Sequence, residues 1–211
     1  MAVAGGGVMA TTRSRTAHPV TDQPRGLTMG MYGAILLLVA MTAGLAGLAT
    51  AGFYLHTGQD AWPPEPLVRP GSWLAVLATV LCIAGAATAT VAAMRLRRDE
   101  RPAPSLLLMI TGFLLTGSVV VLGRDLGATG FHWGDHAYAS VYVINTASAL
   151  VFIAVGILMV AAALVQRLVG VVDSGRMLEI DITVVYLWWV VMAVTVCLAV
   201  AHLLPDLGGA G

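Results

Sequence analysis

The chain has 211 residues, of which 58% are hydrophobic and only 10% charged, with a mean hydropathy of +0.87. Soluble domains carry about 25% charged residues, so this composition excludes a soluble enzyme and a disordered chain. It leaves a polytopic membrane protein. All 11 basic residues are Arg and they are balanced by 11 acidic ones, so there is no basic face to neutralise a nucleic-acid backbone.

Residues 1–26 are rich in Gly, Ala, Thr and Arg and hold no apolar h-region. They read as a disordered cytoplasmic tail, not as a cleaved signal peptide. A bilayer core of about 30 Å takes roughly 20 apolar residues of helix. Five continuous blocks meet that length, at 28–54, 72–94, 105–123, 137–165 and 181–204. Continuous rather than alternating apolar runs favour helices over barrel strands. Pro63, Pro64, Pro66 and Pro70 fill the loop after the first block, and Pro102 and Pro104 stand where the third helix starts. Gly127, Gly130 and Gly134 loosen the next loop, and Asp173, Ser174 and Gly175 mark the turn before the last span. The expected fold is all-α: one five-helix transmembrane bundle over 27–205, followed by a short outer tail at 206–211.

Arginine placement orients the bundle. Arg13, Arg15, Arg25, Arg95, Arg97, Arg98, Arg101, Arg167 and Arg176 fall on one side, whereas Arg69 and Arg124 fall on the other with Asp60, Glu65, Asp125, Asp135 and Asp206. The positive-inside rule then places the N-terminus in the cytoplasm and the C-terminus outside. The alternation holds across all five spans.

Little in the spans invites chemistry. Cys82 and Cys197 lie inside spans two and five without metal or redox spacing, and read as small apolar packers. His18 is in the tail, and His56, His132, His136 and His202 fall near outer helix ends or in outer loops. No His is placed mid-span to ligate haem from within a bundle. His132, Asp135 and His136 form a solvated polar loop in preference to a metal site. Interior polar groups are Thr, Ser and a single Asn145, and no span carries a central Pro. Both observations weigh against an ion-coupled transporter or a proton relay. Ala43, Gly47 and Ala51 on span one, and Gly85, Ala89 and Ala93 on span two, are small-xxx-small faces expected to pack inside the bundle. Trp62, Trp73, Trp133, Trp188, Trp189, Tyr138 and Tyr186 read as interfacial belt residues. Arg124 and Asp125 read as an interfacial anchor. No nucleophile–base pair, carboxylate pair, cofactor loop or metal motif marks an enzyme.

Three stretches carry a family resemblance. Gly52-Phe53-Tyr54 is followed by Trp62-Pro63-Pro64; Ala137-Tyr138-Ala139-Ser140-Val141-Tyr142 opens the long fourth span; and Tyr186-Leu187-Trp188-Trp189 sits in the last. In order and helix assignment they resemble subunit III of haem–copper terminal oxidases (cytochrome c oxidases), in its short five-helix bacterial form. There the corresponding stretches are an aromatic pair before a Trp-Pro-Pro loop, an Ala-Tyr-Gly-Ser-Val-Phe helix start, and a Tyr-Trp-His-Phe-Val-Asp run. The Arg-rich loop between spans two and three and the inward N-terminus also match. The resemblance spans about residues 28 to 204. It implies an accessory subunit of the bacterial cell membrane with no cofactor of its own, haem and copper being held by the partner catalytic subunit. It also implies contact with that subunit and its respiratory-complex neighbours, and with phospholipid in a cleft between helices. Trp62, Arg124, Asp125, Tyr138, Trp188 and Trp189 are the candidate partner and lipid contacts.

The departures from the family are specific. Its buried carboxylate would align near Ala43, and its third-span Glu near Gly127. The two His of the fourth span would align near Ala149 and Phe152, and the last-span His and Asp near Trp189 and Met192. All are apolar or small here, so a scaffold and lipid role is expected to outlast a proton-uptake role. A small transporter or channel, or a structural or assembly membrane protein without an oxidase, are the competing readings.

Overall fold

A computed structural model describes residues 29–59, 62, 70–98, 103–130, 132, 134–169 and 177–203. The expected tails at 1–26 and 206–211 lie outside the described residues, as do Pro63, Pro64, Pro66, Arg69, Pro102, Trp133 and the Asp173–Gly175 turn. Five helices follow in order: α1 Met29–Thr57, α2 Trp73–Arg97, α3 Ala103–Gly127, α4 Ala137–Leu168 and α5 Leu178–His202. Each is long and apolar enough to cross a membrane, and no strand occurs among the described residues. The fold is an all-α, multi-span membrane bundle.

The helices reach past the apolar blocks at several ends, because backbone hydrogen bonding continues through polar residues after the hydrophobic run stops. Thus α2 runs on through Arg95 and Arg97, and α3 starts at Ala103 with Pro104 in its first turn, a position where the missing N–H costs nothing. Helices satisfy every internal backbone group, as a lipid solvent requires. Threonines within them hide their hydroxyls in the same way. Thr42, Thr50, Thr90 and Thr195 each donate to the carbonyl four residues earlier.

Named contacts set the packing. Cys82 meets Ser118 and Thr88 meets Thr111, which makes α2 and α3 antiparallel. Tyr142 meets Asp125 and Arg167 meets Ser105, which does the same for α3 and α4. Arg97 to Asp181 and Trp188 to Thr90 align α5 antiparallel to α2. Two ends result. At the His202 end α1, α3 and α5 finish and α2 and α4 begin. At the Arg97 end the reverse holds.

The core is built from small residues of α2 against α3 and α5, with α4 closing on both of those helices. Gly85 lies so close to α3 that an added Cβ would meet Leu115 Cδ2 at 3.2 Å. Gly156 of α4 makes the same close approach, 3.1 Å, to Leu187 of α5. The expected small face of α2 is therefore an internal contact: Gly85, Ala89 and Ala93 are buried. The small face of α1 is not. Ala43, Gly47 and Ala51 are exposed, and nothing lies within 4 Å of a Cβ built on Gly47. Only Leu45 and Gly52 of α1 are buried. The helix turns a different face to α5, since the Trp189 indole reaches it at Thr42.

Candidate functional site

Polar side chains converge at the His202 end. Thr111, Ser118 and Asp125 are buried on one face of α3, seven residues apart and thus about two helical turns. Asp125 is the last of them, at 4% exposure. Across from it, Tyr142 of α4 is fully buried and donates its phenol O–H to Asp125 Oδ2 at 2.7 Å. From α5, His202 Nε2 stands 3.5 Å from the same oxygen. That distance is within ion-pair range but long for a hydrogen bond, and neither ring nitrogen of His202 has a hydrogen-bond partner. Three helix ends thus close on one buried carboxylate.

Aromatic rings extend this cluster towards the chain's first loop. His202 packs edge-on to Tyr142 with centroids 5.2 Å apart. Tyr142 lies 6.3 Å from Tyr138, Tyr138 5.4 Å from Trp62, and Trp62 5.6 Å from His56. All of these separations fall in the range of favourable aromatic pairs, about 4.5–7 Å. Tyr138 is buried and Trp62 half-buried, so the series runs from the interior to the surface.

Arg124 and Asp125, adjacent in sequence and expected as a joint anchor, part company. Arg124 is exposed and Asp125 is turned inward, as two residues about 100° apart on a helix must do when one face is core. Trp188 and Trp189 are likewise not belt residues: they stand in the middle of α5. Each indole N–H finds a threonine on a neighbouring helix. Trp189 Nε1 donates to Thr42 Oγ1 of α1 at 2.9 Å and Trp188 Nε1 to Thr90 Oγ1 of α2 at 3.1 Å. Because both hydroxyl protons are committed to their own helices, the threonine oxygens are left to accept. Tyr186 is also internal and donates to the Phe152 carbonyl at 3.0 Å. Trp73, by contrast, is exposed at the start of α2, as a belt residue should be.

The thiols behave as packers. Cys82 and Cys197 are buried and unbridged. Ser118 commits its proton to the Ala78 carbonyl at 3.0 Å, so Cys82 is the donor in its 3.2 Å contact with that serine. His132, Asp135 and His136 are exposed. The Asp135 carboxylate accepts from the His132 backbone N–H at 2.7 Å, and no group of three His, Cys, Asp or Glu side chains suited to a metal occurs among the described residues.

Known protein families and curated proteins yield no match to this chain.

A second feature lies at the Arg97 end. A cleft of about 410 Å³ opens between α1, α2 and α5, lined by Met31, Ala93, Met94 and Val184. Arg97 and Asp181 pair across its mouth at 2.7 Å. Apolar walls under a charged rim suit an acyl chain with a polar head.

Sequence reasoning missed Tyr142 and His202. His202 looked like a loop-end histidine because it is the last residue of its helix. The sequence marks Asp125 by its neighbour Arg124, not by the buried face it shares with Thr111 and Ser118.

Proposed function

We propose that this chain is an accessory, cofactor-free subunit of a bacterial haem–copper respiratory oxidase, packing against the catalytic subunit and holding phospholipid. The observation that carries the reading concerns two positions where the sequence departs from the resembled family. Phe152 and Trp189 stand near positions that are histidine there, and in this structure their rings pack edge to face with centroids 5.1 Å apart. Apolar rings at both positions keep α4 packed against α5 without the polar groups that the resembled family carries there. That is expected if the helix pairing of the family is kept while its interior chemistry is lost.

Two further features fit. The cleft at the Arg97 end has the lining an acyl chain requires. The exposed Ala43, Gly47 and Ala51 face of α1 offers close backbone approach to a helix of another subunit. The N-terminus is assigned to the cytoplasm by the arginine distribution, and the proton-uptake role is assigned as weakened, because the resembled family's carboxylates near Ala43, Gly127 and Met192 are replaced by apolar or small residues.

Purification from native membranes in mild detergent tests the reading. The chain is expected to bring a larger haem-containing subunit with it. If it arrives alone and catalyses selective flux in liposomes, a transporter replaces this proposal.

A further inference from the structure

The packing of Tyr142 leaves a question that scaffolding does not answer. A phenylalanine would fill the same space, and a buried carboxylate costs stability unless it is well compensated. Yet the phenol, the carboxylate and an imidazole without hydrogen bonds are kept together at the junction of three helices. Buried polar groups left incompletely satisfied call for a specific explanation, a redox role among them.

The surroundings supply one. Oxidation of a tyrosine by one electron is tied to loss of its phenol proton, and becomes accessible where a base waits at hydrogen-bond distance. Asp125 Oδ2 is that base, at 2.7 Å, and it is an acceptor because Tyr142 donates to it. An electron also needs a path out of the interior. The ring of Tyr138 lies between Tyr142 and the half-buried Trp62, with centroid steps of 6.3 and 5.4 Å.

From this geometry we infer that Tyr142 is a redox-active tyrosine, which receives oxidising equivalents from the protein surface through Trp62 and Tyr138. The oxidant is a strong one-electron acceptor in the aqueous phase at the His202 end. It takes one electron from Trp62. An electron then passes from Tyr142 across the Tyr138 ring and restores Trp62, while the phenol proton moves to Asp125. The net change is Tyr142–OH, Asp125 carboxylate and oxidant going to Tyr142–O•, Asp125 carboxylic acid and reduced oxidant. Charge and atoms balance, and the neutral radical is held on a fully buried ring. This assignment does not depend on the oxidase reading.

The test uses the full chain in detergent with a photo-excited ruthenium polypyridyl complex and a sacrificial electron acceptor, and reads radicals by freeze-quench electron paramagnetic resonance. Tyr32 and Tyr54, which are exposed, are first replaced by Phe so that they do not react directly. A neutral tyrosyl radical is expected in this background. It should vanish in Tyr142→Phe, and its formation should fall about tenfold in Trp62→Leu, the effect of about 1.4 kcal/mol of added barrier. Formation should slow in deuterated water while Asp125 is present, and lose that slowing in Asp125→Asn. A tyrosyl radical of undiminished yield in Tyr142→Phe, or a yield indifferent to Trp62→Leu, overturns the assignment. Tyr142→Phe keeps the ring and its packing, and the unchanged signal of a folded variant by circular dichroism guards the comparison.

Discussion

Tyr142 and Asp125, 17 residues apart on consecutive helices, are joined by a 2.7 Å hydrogen bond at a site where both are almost fully buried. With His202 on the third helix, the carboxylate links the ends of α3, α4 and α5. Removing one member of this buried set leaves the others without a partner, and an unpaired buried polar group costs about 1–3 kcal/mol. Asp125→Leu and His202→Leu are each expected to lower thermal stability in detergent, His202→Leu the more, since it leaves the carboxylate without its facing imidazole. The double substitution should recover much of the loss. Strictly additive single effects would show that Asp125 and His202 do not interact.

The indole of Trp189 ties α1 to the rest of the bundle. Interhelical hydrogen bonds within membranes average about 0.6 kcal/mol, so Trp189→Phe and Thr42→Val should each destabilise by about that amount. The double variant should be no worse than either single one. Because α1 buries so few residues, the readout is protease or cysteine-label access to α1 rather than global unfolding. Equal access in all variants would remove the bond from the account.

Glycines separate internal packing from open faces. Gly156→Val forces a branched side chain into space that a Cβ already shares with Leu187 at 3.1 Å and Tyr186 at 3.6 Å. Overpacking of this kind costs about 1–3 kcal/mol. Gly47→Val meets nothing within 4 Å of its Cβ and should leave the isolated chain's stability unchanged. It should, however, loosen retention of a partner subunit if that face is the docking face. A loss of intrinsic stability in Gly47→Val, as measured by thermal denaturation, would contradict the placement of α1.

The Arg97–Asp181 pair is a weaker link. Arg97 is mostly exposed, with 61% of its side chain accessible, and exposed ion pairs contribute about 0–1 kcal/mol. Arg97→Gln should therefore barely move the melting temperature, yet reduce co-purifying phospholipid, read by mass spectrometry of extracted lipid. Unchanged lipid content would argue that the cleft is not a lipid seat.

The helices were legible because their signal is length and apolarity, which are local properties. The faces were not, since a span that is apolar all round carries no stripe to show which side is core. The small residues of α1 and α2 have the same four-residue spacing, yet Gly85 is buried and Gly47 is open. Only the tertiary arrangement distinguishes them. Trp188 and Trp189 depart from the belt expectation for a similar reason: tryptophan is common at the membrane surface, and their hydroxyl partners lie 98 and 147 residues away. One clue was present. Thr111, Ser118 and Asp125 recur every seven residues on α3, a polar face that only a protein interior could accept. His202 and Tyr142 gave no such clue, because each meets Asp125 through the fold alone.

We propose that this bundle serves a haem-bearing partner. The most direct measurement is the reduced-minus-oxidised optical spectrum of material purified through a tag on this chain from its native membrane. Haem bands at constant ratio to the chain, lost when Gly47→Val blocks the α1 face, are the predicted result. A purified chain with no haem absorbance, under conditions where the membrane's oxidase stays assembled, would contradict it.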